Sequence, residues 1–315
     1  MLFDRPATRV IQERFSCRTY ERRPIAAPER DRLTAFLSTA EDCPFHTPAR
    51  FKLIAAENLN DGALRGLGTY GFVRGATGFI LGAVQKADRN LEDFGFLMER
   101  IILFATSIGL GTCWLGGTFN RSTFAARMAL GKGETMPAVA SVGYAARERS
   151  VADRVIRRGA GAQKRLSWER LFFNRSLKTA LSQEEAGRFA VPLEMVRLGP
   201  SASNRQPWRV VKDDHAWHFY VQRTGAHRRR SARAFGIADM QRVDMGIAMC
   251  HFELTARELG LEGNWVLAEP DMGSLDSSTE YTATWDAQAT APARSSSPLV
   301  TARNEVPSQI PSQAP

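Results

Sequence analysis

Apolar residues recur at helical spacing in two long stretches, 93–114 and 244–265, and each stretch runs through a glycine to a tryptophan. The first reads Asp93-Phe-Gly-Phe-Leu-Met-Glu-Arg-Ile-Ile-Leu-Phe-Ala-Thr-Ser-Ile-Gly-Leu-Gly-Thr-Cys-Trp114. The second reads Asp244-Met-Gly-Ile-Ala-Met-Cys-His-Phe-Glu-Leu-Thr-Ala-Arg-Glu-Leu-Gly-Leu-Glu-Gly-Asn-Trp265. At a constant offset of 151, without a gap, eight of 22 positions coincide: Asp, Gly, Met, Leu, Ala, Gly, Leu and Trp. Each copy predicts an amphipathic helix stopped at Gly109 or Gly260, then a strand entered by the tryptophan. A weaker match at offset 160 sets Ser16-Cys-Arg18-Thr19 beside Ser176-Leu-Lys178-Thr179. Both copies continue into a helical stretch, a proline-containing turn and an extended apolar segment. The chain therefore divides into two homologous halves, 8–150 and 166–286, joined by 151–165. Residues 287–315 are rich in Ala, Ser, Pro, Thr and Gln, lack the apolar content that offsets chain ordering, and are expected to be a disordered tail.

The remaining elements follow from the same pattern. In the first half a helix is predicted over 28–42, with proline in its first turn, and strands over 51–56, 78–84 and 138–144. Asn120 is placed as the N-cap of a further helix. The second half predicts a helix over 183–197, a hairpin of 209–212 and 217–222 around Asp213-Asp214, and a strand over 281–285. Strands and helices do not alternate strictly, which favours an α+β layered fold over a doubly wound sheet.

Composition changes this picture little. A net charge of +9 and a pI near 9.8 favour anionic partners, with a basic soluble surface as the plain alternative. The four cysteines, at 17, 43, 113 and 250, form no CxxC and no metal-ligand spacing, so neither a metal site nor a disulfide framework is expected. The longest apolar run, 101–110, is half of the ~20 residues a membrane span needs. No signal-peptide pattern opens the sequence, and a cytoplasmic location is expected.

Several segments carry candidate chemistry. Gly66-Leu-Gly68-Thr-Tyr-Gly71 matches the dinucleotide fingerprint by letter only, because no strand directly precedes it and no helix starts on it. Pro200-Ser-Ala-Ser-Asn-Arg-Gln-Pro-Trp208 packs donors and acceptors between two prolines, which suits a flat ring with polar edges. On residue types alone it also reads as an ordinary polar loop. In Arg14-Phe-Ser16-Cys-Arg18, two cations and a hydroxyl at alternate positions face one anion if the chain is extended there. Each charge-assisted bond to a phosphate would contribute roughly 1.5–3 kcal/mol. An exposed basic turn is the alternative. Gly109-Leu-Gly-Thr-Cys-Trp-Leu-Gly-Gly117 would let a ligand approach the backbone, or simply cap a helix. The basic run 227–233 lacks interleaved aromatics, so nucleic acid is not expected as a partner. No nucleophile or acid–base constellation stands out, and no catalytic side chain is assigned.

Together these segments resemble the FMN-dependent nitroreductase family. Arg14, Ser16 and Arg18 match its phosphate-gripping segment, and Pro200, Ser201, Ala202, Ser203, Asn204 and Gln206 fall in the segment that lies along the flavin ring. Leu115 and Gly116 match the stretch that offers backbone groups near the reactive flavin nitrogen, and Lys164 and Arg165 match a closing basic pair more weakly. The first half carries Glu41-Asp-Cys-Pro-Phe-His-Thr-Pro48 where a ring segment belongs, and the second carries Asn174 where Arg14 has its counterpart. The sequence is similar to the branch in which two family domains are fused into a single-chain pseudo-dimer. That resemblance implies a nitroreductase-like fold of two halves about a pseudo-two-fold, one FMN site formed across them, and a monomer. It implies hydride transfer from NAD(P)H, as electron donor, through flavin to a small-molecule acceptor such as a nitroaromatic or quinone. An FMN-binding sensor without turnover, or a flavin-dependent dehalogenase or oxidase, would use the same residues.

Overall fold

The computed structural model describes residues 2–58, 62–146, 164–224, 237–273 and 275–288. The basic run 227–233, most of the 151–165 connection and all but the first two residues of the 287–315 tail lie outside them. Seven α-helices and ten strands are described: α1 Ala7–Glu13, α2 Ala27–Ser38, β1 Ala49–Ala55, β2 Gly78–Gln85, α3 Asn90–Ser107, β3 Gly111–Leu115, α4 Arg121–Met128, β4 Glu134–Thr135 and β5 Val139–Gly143 lead the chain. Then come β6 Phe172–Asn174, α5 Gln183–Ala186, α6 Ala190–Leu198, β7 Trp208–Asp213, β8 Ala216–Gln222, α7 Met240–Glu258, β9 Asn264–Val266 and β10 Thr279–Asp286.

The strands form two sheets. One has the order β1-β2-β5-β3, with β4 beside β2, and the other has β6-β7-β8-β10-β9. Reading β7, β8, β10 and β9 against β1, β2, β5 and β3 gives the same order, and every neighbour pair in both series is antiparallel. The two repeat helices, α3 and α7, pack against each other between the sheets, α3 on β2 and β3, α7 on β7 and β8. One apolar core runs through this centre, joining Phe94, Leu97 and Ile101 to Met245, Met249 and Phe252 and to Trp208 and Trp285 of the second sheet.

Period-two alternation explains why β2 is apolar throughout. Ile80 and Val84 face that central core, while Phe79, Leu81 and Ala83 face a second one closed by Phe124 and Met128 of α4. Asn120 caps α4 by accepting from Thr123 N, as its position predicts. The stretch predicted as one helix over 183–197 is broken. Gly187 adopts φ 57°, a 3-10 turn covers Gly187–Phe189, and α6 begins only at Ala190. The helix predicted over 28–42 stops at Ser38, where Thr39 leaves helical geometry.

At the crossing of α3 and α7 the backbones nearly touch. A Cβ on Gly246 would overlap the Glu92 carbonyl oxygen and come within 2.7 Å of Phe96 N, and one on Gly95 would overlap the Val243 carbonyl. Shifted by 151, Gly95 becomes Gly246 and Glu92 becomes Val243, so the two close approaches exchange partners.

Candidate functional site

Between the two sheets lies a cavity of about 520 Å³, within the ~300–1,000 Å³ usual for small-molecule sites. Six separate stretches build its wall: the segment after α1, Phe72, the end of β3 with the residues after it, Arg165, the 200–204 loop and the start of α7.

The first wall begins with α1, whose Ala7, Val10 and Ile11 bury one face at helical spacing. The helix reaches across to α7, where Thr8 Oγ1 and Thr8 N donate to Glu258 at 2.7 and 3.0 Å. The chain then turns extended at Arg14, with φ −60° and ψ 131°. Cys17 N donates to Thr112 O at 2.8 Å and pins the segment along β3. Cys17 points into the core, while Arg14, Phe15, Ser16 and Arg18 line the cavity, so the alternation expected of an extended chain holds at Cys17 and not at Phe15. The Arg14 side chain, only 6% exposed, lies with Nε 3.6 Å from Glu99 Oε1. Glu99 is itself fully buried and accepts from Trp114 Nε1 at 2.7 Å. Its Oε1 also meets His251 Nε2 of α7 at 3.0 Å, and His251 Nδ1 donates to Met195 O at 2.8 Å.

The opposite wall is the 200–206 loop. Ser203, Asn204 and Gln206 adopt φ of 53°, 54° and 49°, the left-handed region that costs non-glycine residues about 1–3 kcal/mol each. Hydrogen bonds hold this strained path. Ala202 N donates to Asp244 Oδ1 at 2.9 Å, Gln206 N to Ser201 Oγ at 2.8 Å, and Asn204 Nδ2 to Lys164 O at 2.8 Å. Arg165 Nη1 donates to Asn204 Oδ1 at 3.0 Å and Nη2 to Leu198 O at 3.0 Å. Burial, followed by the positive charges of Arg14 and Arg197, lowers the Arg165 guanidinium to about 10. Two guanidiniums repelling each other across a cavity make a site whose electrostatics an anion relieves.

Of the residues singled out from sequence, Arg14, Ser16, Arg18, Gly116, Arg165, Pro200, Ser201, Ala202, Ser203 and Asn204 line this one cavity. Three do not. Leu115 is fully buried in the core behind Gly116, because its position in β3 alternates inward. Lys164 is exposed and contributes its carbonyl to Asn204 and Gln206. Gln206 is buried, and its Oε1 accepts from Leu166 N at 2.8 Å, tying the loop to the 164–166 segment from behind. Phe72, Met240, Ile247 and Asp244 also line the cavity and were not among the candidate site residues; Trp114, which lies in the Gly109–Gly117 segment, lines it as well. Asp244 carried a signal, since it is one of the eight coincident repeat positions. The 66–71 glycines lie in a turn region after a 3-10 turn at Gly62–Leu64, with no helix starting on them. Among the described residues no helix is long and apolar enough to cross a membrane.

Comparison with known proteins bears on the whole chain. A family model described as "Putative TM nitroreductase" matches residues 7–256. A solved structure of a "putative nitroreductase" from Thermotoga maritima msb8 aligns over 90% of this chain and 95% of its own, with a TM-score of 0.57 and 21% identity, and so shares its fold. A "putative nitroreductase in complex with fmn" from Desulfovibrio desulfuricans aligns over 48% of this chain and 95% of its own (23% identity, TM-score 0.36). A Bacteroides fragilis nitroreductase with bound FMN aligns over 47% and 95% (19% identity, TM-score 0.35). No curated protein sequence matches the chain. A family model matched from residue 7 to residue 256, over a mixed helix-and-sheet fold, makes this chain a member of the nitroreductase family.

Proposed function

We propose that the cavity binds one FMN and that the chain is an NAD(P)H-dependent oxidoreductase reducing a small acceptor such as a nitroaromatic or quinone. The observation that carries this reading is the convergence of the Arg14–Ser16–Arg18 segment and the 200–204 loop on one cavity, from opposite ends of the chain. The residues present fit such a cofactor. Arg14, Arg18 and Arg165 offer a cationic end for a phosphate, whose charge would relieve the strain on Arg165. Ser201, Ser203 and Asn204 offer a polar edge, with Trp114 and Ile247 as apolar wall for a flat ring. FMN, when bound, supplies the two-electron chemistry. The protein's own part is to grip the phosphate, orient the ring and exclude water from the cavity.

The same reading treats the chain as two fused family domains about a pseudo-two-fold, with one site across the halves. The matching strand orders and the exchanged glycine contacts support it. In the first half, the loop standing where 200–206 would be gives two amides to one carboxylate. Phe45 N and Thr47 N donate to the two oxygens of Asp93 at 2.9 Å each.

Reconstitution with FMN is expected to give one flavin per chain. Arg14→Ala should weaken FMN binding by about tenfold or more, since a bond to a charged group contributes about 1.5–3 kcal/mol, and Asn204→Ala, which removes a contact on the ring edge, should weaken it by about threefold to tenfold. Two flavins per chain, or an effect from only one of these changes, would overturn the cross-half site. NADH and NADPH are then compared for bleaching of the flavin in stopped flow. A yellow protein that neither donor reduces would overturn the oxidoreductase.

A further inference from the structure

Asp244 is 1% exposed and is the fifth residue of α7, on the wall of the cavity. Its Oδ1 accepts from Ala202 N at 2.9 Å, whereas Oδ2 is buried and meets no hydrogen-bond partner among the described residues. Its counterpart at offset 151, Asp93, is equally buried but places both oxygens on loop amides at 2.9 Å. The difference arises in the loops. In the second half, Ser203 and Asn204 turn left-handed, and Asn204 N donates back to Ser201 O at 2.9 Å instead of to the aspartate. One carboxyl oxygen is thereby left over, on a residue that lines the cavity together with Ala202, Met240 and Ile247.

A carboxylate buried with one hydrogen bond is costly, and such a group keeps its proton. Burial pushes the Asp244 carboxyl well above the usual range, and Asp239 at the N-cap of the same helix pushes it further. The other titratable groups around the cavity are Arg14, Arg18, Arg165 and Cys113, and the Glu92–Arg242 pair lies at the α3–α7 crossing nearby.

We propose that Asp244 is a neutral acid that donates a hydrogen bond from Oδ2 to an acceptor on the edge of the ring held in this cavity. The proposal rests on the flavin reading above and adds a ring-positioning contact to it. Oδ1 holds the strained loop while Oδ2–H reads the ligand, so one side chain couples loop geometry to ring position.

Asparagine is the discriminating substitution. Its carbonyl oxygen accepts from Ala202 N and its Nδ2 donates where the acid would. Riboflavin serves as the probe, since it has no phosphate to titrate. At neutral pH, Asp244→Asn is expected to bind riboflavin as tightly as the parent and with the same visible absorption spectrum. Asp244→Leu is expected to bind about tenfold more weakly, with a shifted flavin band. An Asn variant as weak as the Leu variant would show that the group accepts as a carboxylate, and would overturn the proposal. Identical bound-flavin spectra in all three proteins would also overturn it, leaving Asp244 as a loop tether only. Thermal melts of the flavin-free proteins give a separate readout of the proton. An acid whose folded pKa is raised contributes stability below its unfolded pKa, near 4, and loses it as pH rises through the folded value. The melting temperature of the Asn variant relative to the parent should therefore climb as pH rises above about 4. A constant difference across that range would remove the proton from Asp244. Failure of the parent to take up either FMN or riboflavin would sink the flavin reading itself, with the ring contact. Flavin uptake with either contrary Asp244 result would sink only the contact.

Discussion

Replacing Gly246 with alanine destabilises the chain by about 3 kcal/mol or more, read as a fall in melting temperature of roughly 6 °C or more. The added methyl group has nowhere to go. It would overlap the Glu92 carbonyl oxygen and press on Phe96 N, both backbone atoms of the facing helix, so no side-chain rotation relieves it. α3 and α7 would have to separate, and the apolar core that spans both sheets would open along that seam. Helix propensity works in the opposite direction, since alanine gains about 1 kcal/mol over glycine in a helix interior. Any net loss is therefore a packing loss. Gly95→Ala should cost a similar amount, because its methyl group meets the Val243 carbonyl in the reciprocal contact. The double variant should lose less than the sum, since one methyl group already forces the helices apart. Gly68→Ala is the control, as a Cβ there meets nothing within 4 Å. A Gly246→Ala protein that melts within a degree or two of the parent would show that the crossing is not as close as described.

Glu99→Ala carries the second large effect. Glu99 is fully buried and serves three partners from both ends of the chain: the Trp114 indole at 2.7 Å, His251 at 3.0 Å and Arg14 at 3.6 Å. Met195 O can only accept, so His251 Nδ1 donates to it, and one proton must lie between Nε2 and the Glu99 carboxyl because two lone pairs would repel. Removing the carboxyl strands an indole N–H, an imidazole and a guanidinium in the interior. Breaking a buried charged network of this kind costs about 3–5 kcal/mol, a large share of the ~5–15 kcal/mol that typically holds a protein folded. The expected result is a shift of the denaturant midpoint to lower concentration at an unchanged slope. His251→Ala in the Glu99→Ala background should cost less than alone, because the two share one interaction. Arg14 would lose the partner that fixes its side chain, so flavin retention should fall as well. Glu99→Ala with parental stability would show that the network is solvated.

The candidate site was largely legible where its chemistry is compressed in sequence. Two prolines, two serines, an asparagine and a glutamine within nine residues advertise the 200–208 loop, and alternation alone places Arg14, Ser16 and Arg18 on one side of an extended chain. Gln206 shows the limit of that reasoning. It has the right side chain in the right segment, yet φ of 49° turns it behind the loop, where it bonds Leu166. Glu99 and His251 were not legible. Each sits in a helix that periodicity marks as core, and a buried polar residue declares itself only when its partner is known. The break in the helix predicted over 183–197 is local, since Gly187 interrupts an otherwise good apolar pattern.

The sequence by itself determined that two similar helices exist, where they stop, and which two short segments hold the cationic and polar side chains that line the cavity. Periodicity, end signals and residue types are local properties, written in windows of ten to twenty positions. Only the tertiary structure decided that α3 and α7 cross at their glycines, that α1 reaches over to the second helix, and that Arg14 thereby arrives opposite Asn204. It also decided that Asp93 has both oxygens satisfied by its loop, while Asp244 has one oxygen without a hydrogen-bond partner among the described residues. These are through-space relations between residues more than a hundred positions apart, and packing, not spacing along the chain, sets them.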